Sequence, residues 1–111
     1  MEPKIRQGYL YDFYGELLNE HQKDIYEAYV LEDLSLKEIA DEKGISRQGV
    51  SDLLHRCTNT LEEYEAKLHL IEKFGSVRTK VDEIVALTEK NVSKENLTKI
   101  RRVSDEILEV L

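Results

Sequence analysis

The stretch SLKEIADEKGISRQGVSDLLHRC, residues 35–57, decides the fold. Ser35 followed by Glu38 forms a capping box, in which each side chain satisfies a backbone N–H at the start of a helix. Leu36, Ile39 and Ala40 share one face of that short helix, Gly44 supplies the positive φ that ends it, and Ser46 caps the next. Two helices crossing near a right angle need a small residue at the crossing, a left-handed turn and apolar side chains that lock them. Ala40, Gly44 and the set Ile39, Ile45, Val50 and Leu53 supply all three. Lys43 stands where a further apolar residue is usual; its stem can pack while its ammonium reaches water. The pattern is a helix-turn-helix, placed over about residues 20–58.

Upstream, Leu10, Phe13, Tyr14, Leu17 and Leu18 recur at helical spacing within residues 5–18, in a segment weakened as a helix by Gly8 and Gly15. Asn19 with Gln22 caps a second helix that buries Ile25, Ala28 and Tyr29. Downstream of Ser46, the apolar set Val50, Leu54, Cys57, Leu61, Tyr64, Leu68 and Ile71 advances in steps of 4 and 3. That seam predicts one continuous helix up to Gly75, of about 28 residues and roughly 42 Å. Ser76 then caps a fifth helix, with Val77, Val81, Ile84 and Leu87 or Thr88 inward. Ser93 caps a sixth, burying Leu97, Ile100, Val103 or Ser104, Ile107 and Leu111. Short joints at 75–76 and 91–93 favour antiparallel neighbours. The expected fold is all-α, with a helix-turn-helix domain and long helix over 1–74 and a C-terminal helical hairpin over 75–111.

The chain of 111 residues is long enough to bury a core unaided, and 41% apolar residues with one proline and five glycines argue against disorder. A single cysteine excludes an internal disulfide, and no apolar run is long enough to span a bilayer or serve as a signal peptide. The expectation is a soluble cytoplasmic protein without membrane insertion. Sixteen basic residues against 23 acidic leave a net charge of −7. Generic DNA affinity comes mostly from neutralised phosphates, so any reading of DNA must rest on a local patch.

That patch lies on the helix opened by Ser46. Arg47, Gln48, Ser51, Asp52, His55 and Arg56 project outward while Val50, Leu53 and Leu54 face in. Arg47 and Gln48, in the turn that first meets base edges, suit guanine and adenine. Ser51 can contact base or phosphate, and His55 and Arg56, a turn later, suit the backbone. Lys37 and Lys43 are candidate phosphate anchors. Asp52 repels phosphate; it helps only by pairing with Arg56 or by accepting from cytosine N4.

The motif resembles the fourth region of bacterial sigma factors. LYDFYGELL, YVLEDLSLKEIADEKGISRQGVSD and LEEYEAKLHLIEKF, spanning about residues 9–74, are together similar to the YlxM family of bacterial proteins. The resemblance implies a sigma-region-4-like helix-turn-helix, a DNA-binding regulatory role and a link to the signal recognition particle pathway. The family pattern has an aspartate where Asp52 stands, but a tyrosine at Ser51 and a lysine at His55, and both departures remove groups that strengthen a nucleic-acid face.

Other features have plainer readings. Tyr9, Tyr11, Tyr14, Tyr26 and Tyr29 fall at helical spacing among acidic neighbours, which assigns them to core and interface rather than to base stacking. Cys57 lies in the seam and His55 and His69 fall off it, so no set has metal-ligand spacing. Lys99, Arg101 and Arg102 have Glu95, Asp105 and Glu106 at pairing distance. No phosphate loop, activated nucleophile or carboxylate dyad is present, so neither cofactor nor enzymatic activity is expected. The apolar seam and the tyrosine-rich first helix predict a homodimer, buried through the long helix, the N-terminal helix or the C-terminal hairpin. Two functions follow: a DNA-binding regulator, or a protein-interaction adaptor of the signal recognition particle machinery that does not read DNA.

Overall fold

The structure is a computed structural model that describes residues 3–111. Six α-helices, one short 3-10 turn and, among the described residues, no strand make up the chain. They are α1 (Pro3–Tyr14), the 3-10 turn Gly15–Leu17, α2 (Glu20–Val30), α3 (Leu36–Lys43), α4 (Arg47–Leu68), α5 (Leu70–Thr88) and α6 (Lys94–Val110). The fold is all-α, as the sequence predicts, and divides into two compact units, Met1–His69 and Leu70–Leu111.

Local chemistry sets the ends of the helices in the first unit. Asn19 and Gln22 close a reciprocal capping box at α2, and Ser35 and Glu38 close another at α3. The backbone and hydroxyl of Ser35 both hold the Glu38 carboxyl below its ordinary range. Gly44 adopts φ 69°, ψ 29°, the left-handed cap that ends α3. The 3-10 turn at Gly15 ends α1 before Leu17, which is exposed rather than inward as its spacing suggests. Gly15 is buried under the Tyr11 ring, where an added Cβ would lie 2.6 Å from a ring carbon.

The core gathers on α4. Val50, Leu54, Cys57 and Leu61 are buried there, against Leu10 and Tyr14 of α1, Ile25, Tyr26 and Ala28 of α2, and Ile39 and Ala40 of α3. Tyr26 stacks on Tyr11 with ring centroids 5.7 Å apart, and Tyr14 meets Tyr64 at 6.1 Å. Polar bonds fasten α1 along the same side: the Arg6 guanidinium donates to both oxygens of Glu62 at 2.8 and 2.9 Å, and Gln7 donates to Thr58. Tyr14 donates to the buried Glu65 carboxylate at 2.5 Å. The first half of the predicted seam is thus covered by helices of its own chain. Cys57 is 1% exposed and burial raises its thiol pKa, so a bulky thiol reagent is expected to react slowly in native buffer and rapidly in denaturant. Equal rates, followed by thiol titration, would contradict this packing.

The long helix is shorter than the seam implies. It ends at Leu68, and His69 takes a left-handed conformation (φ 56°, ψ 30°) with its N–H donating to the Glu65 carbonyl at 2.8 Å. Histidine is among the residues that tolerate this region, so no glycine marks the break. Leu68 is 48% exposed, and the packing that holds α4 straight has ended by then. A new helix starts at Leu70 and runs through Gly75, which is neither a turn nor the boundary of a helix opening at Ser76. An added Cβ at Gly75 meets nothing within 4 Å. Gly75→Ala should therefore stabilise the chain by about 0.5–1 kcal/mol in thermal or denaturant unfolding, whereas a turn with positive φ at that position would be destabilised.

In the second unit α5 and α6 form the expected hairpin, joined by residues 89–93 and capped at Ser93. Lys80 pairs with Glu106 at 2.7 Å, and Lys99 pairs with Glu95 at 3.3 Å. Only Val103 is buried there.

Candidate nucleic-acid interface

The turn between α3 and α4 builds the site. Gly44 and Ile45 both direct their N–H groups to the Ala40 carbonyl, which reverses the chain tightly enough for Ser46 to cap α4 through the Gly49 N–H at 2.9 Å. Val50 and Leu54 are buried and Leu53 half-buried, so the opposite face of α4 is the outer one. Ile45, counted among the locking residues, is 37% exposed and contributes only partly.

Arg47, Gln48, Asp52, His55 and Arg56 are exposed along the first three turns of α4, and Ser51 is half-buried. They flank two open depressions. One is lined by Leu36, Arg47, Gln48 and Ser51, the other by Gly49, Asp52, His55 and Arg56. A third, narrower cleft brings Gln7 of α1 and Tyr29 of α2 beside Ser51 and His55. Neither Gln7 nor Tyr29 is suggested by the motif, because a contact between residues so far apart in sequence leaves no local pattern. Lys37 is exposed on the first turn of α3, and Lys43 is half-buried on its last.

Asp52 is bonded within its own helix: its Oδ1 accepts from the Gln48 side-chain amide at 2.9 Å, one turn earlier, and among the described residues it makes no ion pair with Arg56. One amide hydrogen of the would-be adenine reader is thus already engaged, while the carboxylate stays exposed. Arg47, in contrast, stands at the tip of α4 next to backbone N–H groups that the first turn of any helix leaves unpaired. What the surface offers a ligand is the Arg47 guanidinium, exposed at a helix tip and without an ion pair among the described residues, a tied amide–carboxylate pair behind it, and a second arginine, Arg56, more than two turns on.

Comparison with known proteins bears on this motif. The model of the UPF0122 family, described as "Putative helix-turn-helix protein, YlxM / p13 like", matches residues 1–104. The chain belongs to that family. A UPF0122 protein of Shouchella clausii is 48% identical over 84 residues, 76% of this chain and 77% of that protein. One from Thermoanaerobacter is 42% identical over 98 residues, covering 88% and 84% of the two chains. One from Clostridium kluyveri is 36% identical over 108 residues, 97% of each. The UPF0122 match runs through the hairpin as well as the helix-turn-helix, farther than the residues 9–74 on which the sequence resemblance rests. Among the described residues of this UPF0122 chain no helix is long and apolar enough to cross a membrane.

Proposed function

We propose that this chain is a non-enzymatic, DNA-binding regulator that sets the first turn of α4 in the major groove and works as a homodimer in the cytoplasm. Arg47 carries the reading: it is exposed at the tip of a helix whose entry is fixed by the left-handed Gly44 and the Ser46 cap. Gln48, Ser51 and Asp52 would meet base edges behind it, and His55, Arg56, Lys37 and Lys43 would meet phosphates. Membership of a helix-turn-helix family supports nucleic-acid binding. A link to the signal recognition particle pathway comes with the YlxM resemblance and belongs to the same proposal.

The bond between Gln48 and Asp52 favours a second reading. It engages a base reader and leaves a carboxylate in the groove-facing row, which suits a helix that contacts protein, as in an adaptor of the signal recognition particle machinery. Titration of the chain against genomic fragments at low and physiological salt separates the two. The regulator selects particular fragments over bulk DNA, with a shallow salt slope corresponding to about 2–4 neutralised phosphates per subunit. Equal affinity for every fragment favours the adaptor.

A further inference from the structure

The hairpin of α5 and α6 has two unlike sides. Along α5 the half-buried residues Val77, Lys80, Ile84 and Leu87 mark the line that meets α6, and along α6 that line is Ile100, Val103 and Ile107. At about 100° per residue, Val81 and Val85 lie roughly a quarter turn clockwise from the first line, looking from the helix N-terminus. Leu97 and Leu108 lie the same quarter turn from the second. Because the helices are antiparallel, equal offsets put both stripes on one side of the hairpin. The four side chains are 44, 50, 58 and 72% exposed in the order given. The other side is charged and internally paired, through Lys99 with Glu95 and Arg102 with Glu106. A unit of roughly 40 residues with only Val103 buried lacks the core that such a length needs, and its apolar side calls for a cover.

The rims of that side indicate what covers it. Arg78 and Asp82 edge the α5 stripe, Arg101 and Asp105 edge the α6 stripe, and all four are exposed. Among the described residues none of the four makes an ion pair. Each helix thus carries a base followed four residues later by an acid, and the turn at 89–93 sets Arg78 level with Asp105 and Asp82 level with Arg101. The two pairs are centred at the same height. A two-fold axis at that height turns the pattern into its own complement. If α5 lies on α5, reversed, Arg78 faces Asp82 of the partner subunit; if α5 lies on α6, it faces Asp105 of the partner subunit. Arg101 finds the opposite sign in both arrangements.

We infer that the Val81, Val85, Leu97 and Leu108 side of the hairpin is the docking surface for a second copy of this chain, the two hairpins closing face to face into a four-helix bundle. Isologous contact of one patch with itself is what a two-fold dimer requires. The inference rests on the homodimeric reading above and names the surface that carries it.

Sedimentation equilibrium of the full chain at micromolar concentration tests it. The wild type should be dimeric, and Val85→Asp with Leu108→Asp should make it monomeric while Cys57 stays protected, which shows that the first unit is intact. Arg78→Asp should weaken dimerisation by more than about tenfold by placing like charges in contact. Adding Asp82→Arg restores it if α5 meets α5, and adding Asp105→Arg restores it if α5 meets α6. Persistence of the dimer through Val85→Asp, Leu108→Asp and Arg78→Asp would overturn this surface and leave the homodimer standing. A monomeric wild type would overturn both, and its co-sedimentation with vesicles of anionic phospholipid would reassign the face to lipid.

Discussion

Replacing Tyr26 by alanine will lower the free energy of unfolding by about 3–5 kcal/mol, read from denaturant titrations with unchanged slope. Tyr26 is fully buried where α2 meets α4, stacked on Tyr11, with its hydroxyl bonded to Thr58 at 2.9 Å. Truncation removes the ring, leaves a cavity between α2 and α4, and deprives Tyr11 of its stacking partner and Thr58 of its hydroxyl partner. Phenylalanine keeps the packing, so Tyr26→Phe separates the polar from the apolar contribution and should cost about 0.5–1.5 kcal/mol near neutral pH. Burial pushes the Tyr26 phenol from its ordinary 10.0 up to about 12. A raised acid is stabilised in its protonated form, so its contribution is complete below pH 10 and is lost as pH rises towards 12. Tyr11, half-buried and hydrogen-bonded to Glu27, is raised further, so its contribution is also complete below pH 10 and is lost only at higher pH than that of Tyr26. Alkaline unfolding between pH 10 and 12 should accordingly be shallower in Tyr26→Phe than in the wild type. An identical pH profile would mean that the phenol is not desolvated.

The parts of this fold that were legible in the sequence are those held by neighbours along the chain. Asn19 with Gln22, Ser35 with Glu38, and Gly44 act within four residues, and the structure has each cap in place. The seam on α4 was equally readable, but periodicity says only that a face is covered and not by what. Arg6, Gln7 and Tyr14 bind α1 to that face through Glu62, Thr58 and Glu65, pairs more than 50 residues apart. The break at His69 escaped because the apolar steps continue through Leu68 to Ile71 while the helix does not. Its left-handed conformation is most common at glycine, and the nearest glycine, Gly75, points to a boundary that the structure does not have. At the candidate site, exposure of Arg47 and Gln48 follows from the cap at Ser46 and the buried positions of Val50 and Leu54. The partner of Asp52 does not follow: Gln48 lies four residues before it and Arg56 four after, and spacing alone does not choose between them.

Arg47→Ala should weaken binding to a selected DNA fragment by about 1–3 kcal/mol, roughly 5–150-fold, through loss of a bidentate base contact. Affinity for bulk DNA should fall far less. The same substitution should leave unfolding within about 0.5 kcal/mol of the wild type, because the side chain is exposed and beyond the core that α4 supports. Asp52→Asn tests the other half of the surface. It keeps a carbonyl oxygen in place to accept from Gln48 while removing the charge that repels phosphate, so affinity for bulk DNA should rise a few-fold at low salt and the gain should shrink as salt is added. Gln48→Ala discriminates further. If the Gln48 amide stays on Asp52 in the complex, its loss costs the selected fragment little; if it turns to adenine, the cost approaches that of Arg47→Ala and falls on fragments with adenine at one position. A surface that contacts protein instead would respond to none of these changes in DNA titrations. No selected fragment for the wild type, together with no gain from Asp52→Asn, would leave the exposed row of α4 to a protein partner.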